Sequence, residues 1–300
     1  MPTLASPTDS SPWWLDRRAW PLAASGAILV ASGLAHVAVW AVLGGPWEGP
    51  VTWRKPILFG ISGGLTALSM GWVWSKMPGR HWDVPLSWIT TIALVIEVGL
   101  IDLQRWRGVA SHFNRATLLD SVLYDLMGAL ILWVTLISAD LMVRAFRQRV
   151  AVSRDMLLAI RAGLVFLVIS CLLGIWVSVN GEFRIEQGLE PDQFGAAGVP
   201  KFPHGAVIHA IQWLPLLAWG ARQAALGETR RATLVLSATV GTGLVLLYAL
   251  VQTLAGRSRF DATPVDAVIL AIGAACLAVP AAVTALTWLA TRRSPPTAAA

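Results

Sequence analysis

The chain has 300 residues, of which 56% are hydrophobic and only 13% charged, with a mean hydropathy of +0.63. A soluble domain carries about 25% charged residues, so a water-soluble globule is excluded. The net charge of +6 and pI near 10.1 come from Lys and Arg spread over short loops, which argues against nucleic acid and for the lipid bilayer as the partner.

Mostly apolar runs of 18 or more residues recur along the chain, each long enough for a hydrocarbon core of about 30 Å. They do not alternate in the ten-residue segments of a barrel. The expected fold is all-α: a polytopic membrane helical bundle of about eight transmembrane helices, with both termini on one side. Residues 1–18 are Pro/Ser/Thr-rich and end in Arg17-Arg18, as a disordered cytoplasmic N-terminus would. A single transmembrane domain follows over 19–291. Its first run, 19–43, is too long for a signal-peptide core and reads as a retained helix. Further helices are expected at 55–75, 85–104, 117–143, 155–179, 204–224, 230–255 and 264–290. A disordered tail, 292–300, closes the chain. Cys171 and Cys276 sit in apolar runs as buried small hydrophobes, and the 16 Trp cluster near run ends like an interfacial belt. No internal repeat stands out.

Of the Lys and Arg outside helix interiors, thirteen fall on the terminal side and nine on the other. That bias places both termini in the cytoplasm, with the chain multi-pass in the membrane. Four of the five His and eleven of the 17 acidic residues then lie toward the outer side.

The polar residues crowd into Glu97–Asp125, EVGLIDLQRWRGVASHFNRATLLDSVLYD. On the third helix, Glu97, Ile101 and Gln104 share a face. An acid inside a membrane helix is costly and faces the bundle interior or a wet cavity. The bland alternative pairs Glu97 with Lys55. Thr117, Asp120 and Tyr124 stack at the start of the fourth helix, with Asp125 adjacent. Asp120 has a second explanation in the helix dipole, whereas Asp125 lies deeper. Between the helices, Ser111, His112 and Asn114 offer donors and acceptors after the turn at Gly108. In KFPHGAVIHAIQW, His209, Gln212 and Trp213 share a face, and Pro215 is expected to kink the helix below them. His204 lies about 140° away from His209 around a regular helix. Small residues Gly63 and Gly64 on the second helix suit close packing. His36 stands alone on an apolar helix, as a core His or a ligand.

The stretches WRKPILFG, QRWRGVASHFN and PHGAVIHAIQWLP together resemble a bacterial family of uncharacterised polytopic integral membrane proteins, over roughly 20–255. That resemblance implies no activity. Ser111, His112, Asp120 and the His204/His209 pair are also similar to the zinc set of membrane metal-hydrolases of the alkaline ceramidase and adiponectin-receptor type. The departures are a His pair that is not HxxxH and a Ser111 directly before His112.

Three function classes stay open. In the first, His36, His112 and His209 bind a cofactor, and Glu97, Asp120, Ser111 and Lys55 are catalytic. A transition metal held by His112, His209, His204 and Asp120 implies hydrolysis of a lipid-like substrate. Haem b between two His implies electron transfer with quinone. Gln104, Asn114, Tyr124, Asp125 and Gln212 complete the surroundings. In the second, the same acids and His relay protons in a transporter. In the third, the chain is a structural or sensory subunit, with the 180–203 loop meeting a partner. The single-site model expects His112, His209 and Glu97 around one cavity in the outer half, since ligands to a shared metal need contacts of about 2 Å.

Overall fold

A long apolar run satisfies its own backbone N–H and C=O groups only as a helix. The computed structural model describes residues 12–293. Among them are nine helices: α1 Trp20–Leu43, α2 Arg54–Lys76, α3 Asp83–Trp106, α4 Leu118–Arg147, α5 Arg154–Glu186, α6 Lys201–Val207, α7 Ala210–Gln223, α8 Glu228–Leu254 and α9 Pro264–Arg293. The disordered tails expected at 1–18 and 292–300 lie mostly outside the described residues. Residues 12–18 carry a 3-10 turn at Trp13–Leu15, and the Arg18 guanidinium donates to Asp16 at 2.6 Å and to the Met77 carbonyl at 2.8 Å.

Seven helices, α1 to α5, α8 and α9, are long and apolar enough to cross a membrane. The eighth expected span, 204–224, is instead two shorter helices, α6 and α7, parted at Ile208 and His209. Pro215 weakens this segment, because it has no N–H for the Ile211 carbonyl. His209 leaves helical geometry with φ −90° and ψ 5°. Helix α5, expected to stop at 179, runs on to Glu186.

Consecutive long helices run antiparallel, so their connections alternate between two ends of the bundle. The tail end holds the start of α1 and the α2–α3, α4–α5 and α7–α8 connections. It is clasped by ion pairs: Arg144 on Asp83 at 3.0 Å and Arg231 on Asp155 at 3.1 Å. The loop end holds the other connections. There the stretch after α5 is pinned to the end of α8. The Ala197 N–H donates to the Gly256 carbonyl at 2.8 Å, and the Thr253 hydroxyl to the Val199 carbonyl at 3.1 Å. The 180–203 segment is thus partly helix and partly a fastened loop. Between the ends lies one apolar core, with Met70, Trp74, Ile160, Leu164 and Leu214 fully buried.

Candidate functional site

Polar residues at the loop end sort by whether their hydrogen bonds are already satisfied. Asp120 is fully engaged. Thr117 caps α4, accepting the Asp120 N–H at 3.1 Å and donating its hydroxyl to Asp120 Oδ2 at 2.7 Å. Gln104 Nε2 donates to Asp120 Oδ1 at 3.0 Å, and Arg107 reaches the same oxygen at 2.7 Å and also the Gln104 amide oxygen. This knot joins α3 to the start of α4, a capping role. Asn114 closes its own loop, donating to the Ala110 carbonyl at 3.0 Å and accepting the Ala116 N–H at 3.1 Å. Asp125, expected deep, is exposed and pairs with Arg115 at 3.0 Å. It sits on the α4 face turned away from the bundle.

His36 is also satisfied. Its Nδ1 donates to the Ser32 carbonyl at 2.9 Å, and its Nε2 accepts the Trp106 indole N–H at 3.2 Å. These bonds fix a neutral tautomer, and the ring completes a cluster with Trp53 and Trp106. Nearby, Ser32 donates to Asp102 at 3.2 Å, while the other Asp102 oxygen is buried without a partner. His204 Nδ1 donates to the Ser170 carbonyl at 2.8 Å, which ties α6 to α5.

The remaining candidates line one face of α2, where Lys55, Phe59, Ser62 and Thr66 follow at helical spacing. Phe59 faces the His112 ring, with centroids 5.7 Å apart. Ser62 meets His209 Nε2 at 3.2 Å. His112 and His209 therefore lie at successive turns along this face. The His112 ring is held by Ser111 at 2.9 Å and lies against Tyr124. Phe113, with φ 57°, turns its own ring inward onto Tyr124 and against Gly181. A Cβ at Gly181 would lie 2.4 Å from that ring, so a larger residue there would have to displace Phe113. A left-handed Phe costs about 1 kcal/mol or more, offset by packing that sets the neighbouring His112.

Burial pushes the His112 pKa down to about 3, with Lys55 and Lys201 adding repulsion against a weaker pull from Asp192. A lowered pKa means that the fold favours the neutral ring. The stabilisation is complete above the unfolded value of about 6.5 and is lost as pH falls toward 3. The stability advantage of wild type over His112→Gln is expected to shrink by about 2 kcal/mol between pH 8 and pH 4.5. Thermal unfolding of both proteins across that range checks it, and a constant gap would show that the ring titrates normally.

Glu97 lies at the depth of Ser62, because neighbouring Val98 faces Gly63 across the α2–α3 contact. It is 6% exposed, makes no ion pair with Lys55 or any other described residue, and its Oε2 is buried without a hydrogen bond. Two further groups are unpartnered at about this depth. They are the Thr66 hydroxyl, one turn from Ser62, and the Gln212 amide nitrogen, whose own oxygen accepts from His209 Nδ1 at 3.2 Å. Buried polar atoms are nearly always paired, so these orphaned groups at the depth of the α6–α7 break call for an explanation.

The expected metal set does not form. Among the described residues, no three His, Cys, Asp or Glu gather so as to hold an ion. Both ring nitrogens of His36 and of His209 have protein partners, as do both Asp120 oxygens. The donor set fits neither a shared transition metal nor haem ligation by these rings. Spacing could not reveal this, because it does not say which neighbour takes each lone pair. Sequence reasoning also passed over Ser62 as the partner of His209, and Arg105 stacked 3.8 Å over Trp53. Comparison with family models, curated proteins and solved structures finds no match, so nothing is carried over from another protein.

Proposed function

We propose that the chain is an eight-pass protein of the bacterial cytoplasmic membrane, with α6 and α7 together forming one broken span, and that it couples movement of a small solute to a proton. The supporting observation is the helix break at His209, set against Ser62 at the depth of the unpartnered Glu97. Broken helices mark solute sites in transporters, because irregular backbone is tolerated only where it faces protein or a wet cavity. An unpaired carboxylate costs several kcal/mol in such surroundings. Glu97 therefore needs a proton or a cation, which is the requirement that coupling exploits. His209, whose Nδ1 donates to Gln212 and whose Nε2 accepts from Ser62, is the second group there able to take up and release a proton, at Nε2. The cytoplasmic placement of both termini follows from the Lys and Arg of the tail end.

Liposomes loaded with a pH-sensitive dye and carrying the purified protein test this reading. Succinate, glutamate, inorganic phosphate and choline are added outside in turn. At least one is expected to give saturable, protein-dependent proton movement, and Glu97→Gln is expected to slow it at least tenfold. Folded protein that moves no protons with any of them, or a Glu97→Gln variant as fast as wild type, would sink the proposal. An absorption spectrum and elemental analysis of the same sample test the rival cofactor reading, for which a Soret band or a near-stoichiometric metal is the required result.

A further inference from the structure

We infer that the loop end carries an oxyanion-binding site, specific for a carboxylate or phosphate group, between the start of α2, the end of α3 and the loop after it. A tight crevice there is lined by Thr52, Lys55, Ile101, Arg105, Val109 and Ser111.

The lining is cationic and unbalanced. Lys55 and Arg105 make no ion pair with any carboxylate among the described residues. Of the nearby acids, Asp192 pairs with Lys201 at 2.5 Å, Glu48 lies 3.9 Å from Arg54, and Asp102 accepts from Ser32 at 3.2 Å without reaching either cation. The Arg105 guanidinium is held flat on Trp53, and its Nε is buried with no acceptor. Independently of the charges, Thr52 is 1% exposed and its hydroxyl has no hydrogen-bond partner. Buried polar atoms without partners call for an explanation, an unseen ligand among them. A planar guanidinium fixed by stacking, an ammonium and two hydroxyls (Thr52 and Ser111) form a donor set suited to an oxyanion. The start of α2 adds its dipole with the same sign. Ile101 closes the floor, and Glu97 lies one turn deeper on the same α3 face. The site stands on its own, whether or not the interior moves a proton.

Equilibrium binding of inorganic phosphate and of acetate to the full chain tests it, in nanodiscs of phosphatidylcholine with and without phosphatidylglycerol. The expected result is saturable calorimetric binding of at least one anion in phosphatidylcholine discs, weakened at least tenfold by Lys55→Gln and by Arg105→Gln. Arg54→Gln removes a neighbouring charge outside the cleft and is expected to change affinity less than twofold. Lys55→Arg keeps the charge and is expected to retain binding, which separates loss of charge from loss of fold. Affinity unchanged by phosphatidylglycerol assigns the site to a free anion. Competition by phosphatidylglycerol assigns it to a lipid headgroup. No saturable binding by wild type in phosphatidylcholine, or binding that survives the Lys55→Gln/Arg105→Gln double variant, overturns the site. No solute gradient is involved, so failure of transport and failure of this site are read separately.

Discussion

Asp83→Ala is expected to destabilise the fold by about 3–5 kcal/mol, enough to remove most folded protein from the membrane. Asp83 is fully buried and Arg144 is 3% exposed. The guanidinium grips both carboxylate oxygens at 3.0 Å and donates to the Pro78 carbonyl at 2.7 Å. The Arg80 backbone N–H adds a bond at 2.8 Å, and Arg18 lies 3.9 Å away. Removing the carboxylate leaves Arg144 charged and enclosed with only the Asp140 carboxylate, 3.8 Å away, to offset it, and that poorly compensated charge is the source of the cost. Replacing both partners should be far milder. Asp83→Leu with Arg144→Met is expected to recover most of the loss, since neither charge then needs solvation. Denaturant unfolding in detergent micelles measures all three proteins. Equal damage in the single and double variants would mean that the pair's value lies in its geometry rather than its charge balance.

Gly60→Val and Gly64→Val are each expected to cost about 1–3 kcal/mol by forcing α1 and α2 apart, with a larger combined loss. A Cβ at Gly60 would sit 2.7 Å from Gly33 Cα, and one at Gly64 would sit 2.6 Å from the Gly26 carbonyl oxygen. The obstacles are backbone atoms of α1, so no side chain can swing aside. The two positions form a GxxxG spacing, which lets helices approach closely where lipid supplies no hydrophobic drive. Gly99→Val is the control, because a Cβ there meets nothing within 4 Å. It is expected to be neutral or mildly stabilising. Unfolding of the four proteins in one detergent checks the ranking. A Gly99→Val variant as damaged as Gly60→Val would assign the effect to hydrophobic bulk instead of helix contact.

Both features show how far a sequence reaches in a chain of this kind. The apolar runs by themselves determined the helices, because a backbone in hydrocarbon has no other way to pair its polar groups over that length. Seven of the eight expected spans are helices of membrane length, with ends within a few residues of expectation apart from the longer α4 and α5. The crowding of polar residues at one end was legible for the same reason: alternating helices send every second loop to the same side. The expected close packing at Gly64 was legible too, since small residues on an apolar helix have few other uses.

Tertiary structure alone decided which polar groups are spent and which are free. Asp120 and Glu97 are both candidate site acids on apolar helices in the sequence. One is surrounded by Thr117, Gln104 and Arg107, and the other has no partner. His36 and His209 are likewise indistinguishable by spacing, yet Trp106 and Ser62 take their nitrogens from helices far away in the chain. The break at Ile208–His209 was hidden as well, because hydropathy runs on smoothly across it. Hydropathy is a property of each residue and its near neighbours. Hydrogen-bond partnership is a property of atoms brought within about 3 Å by packing, and in this protein those atoms come from different helices.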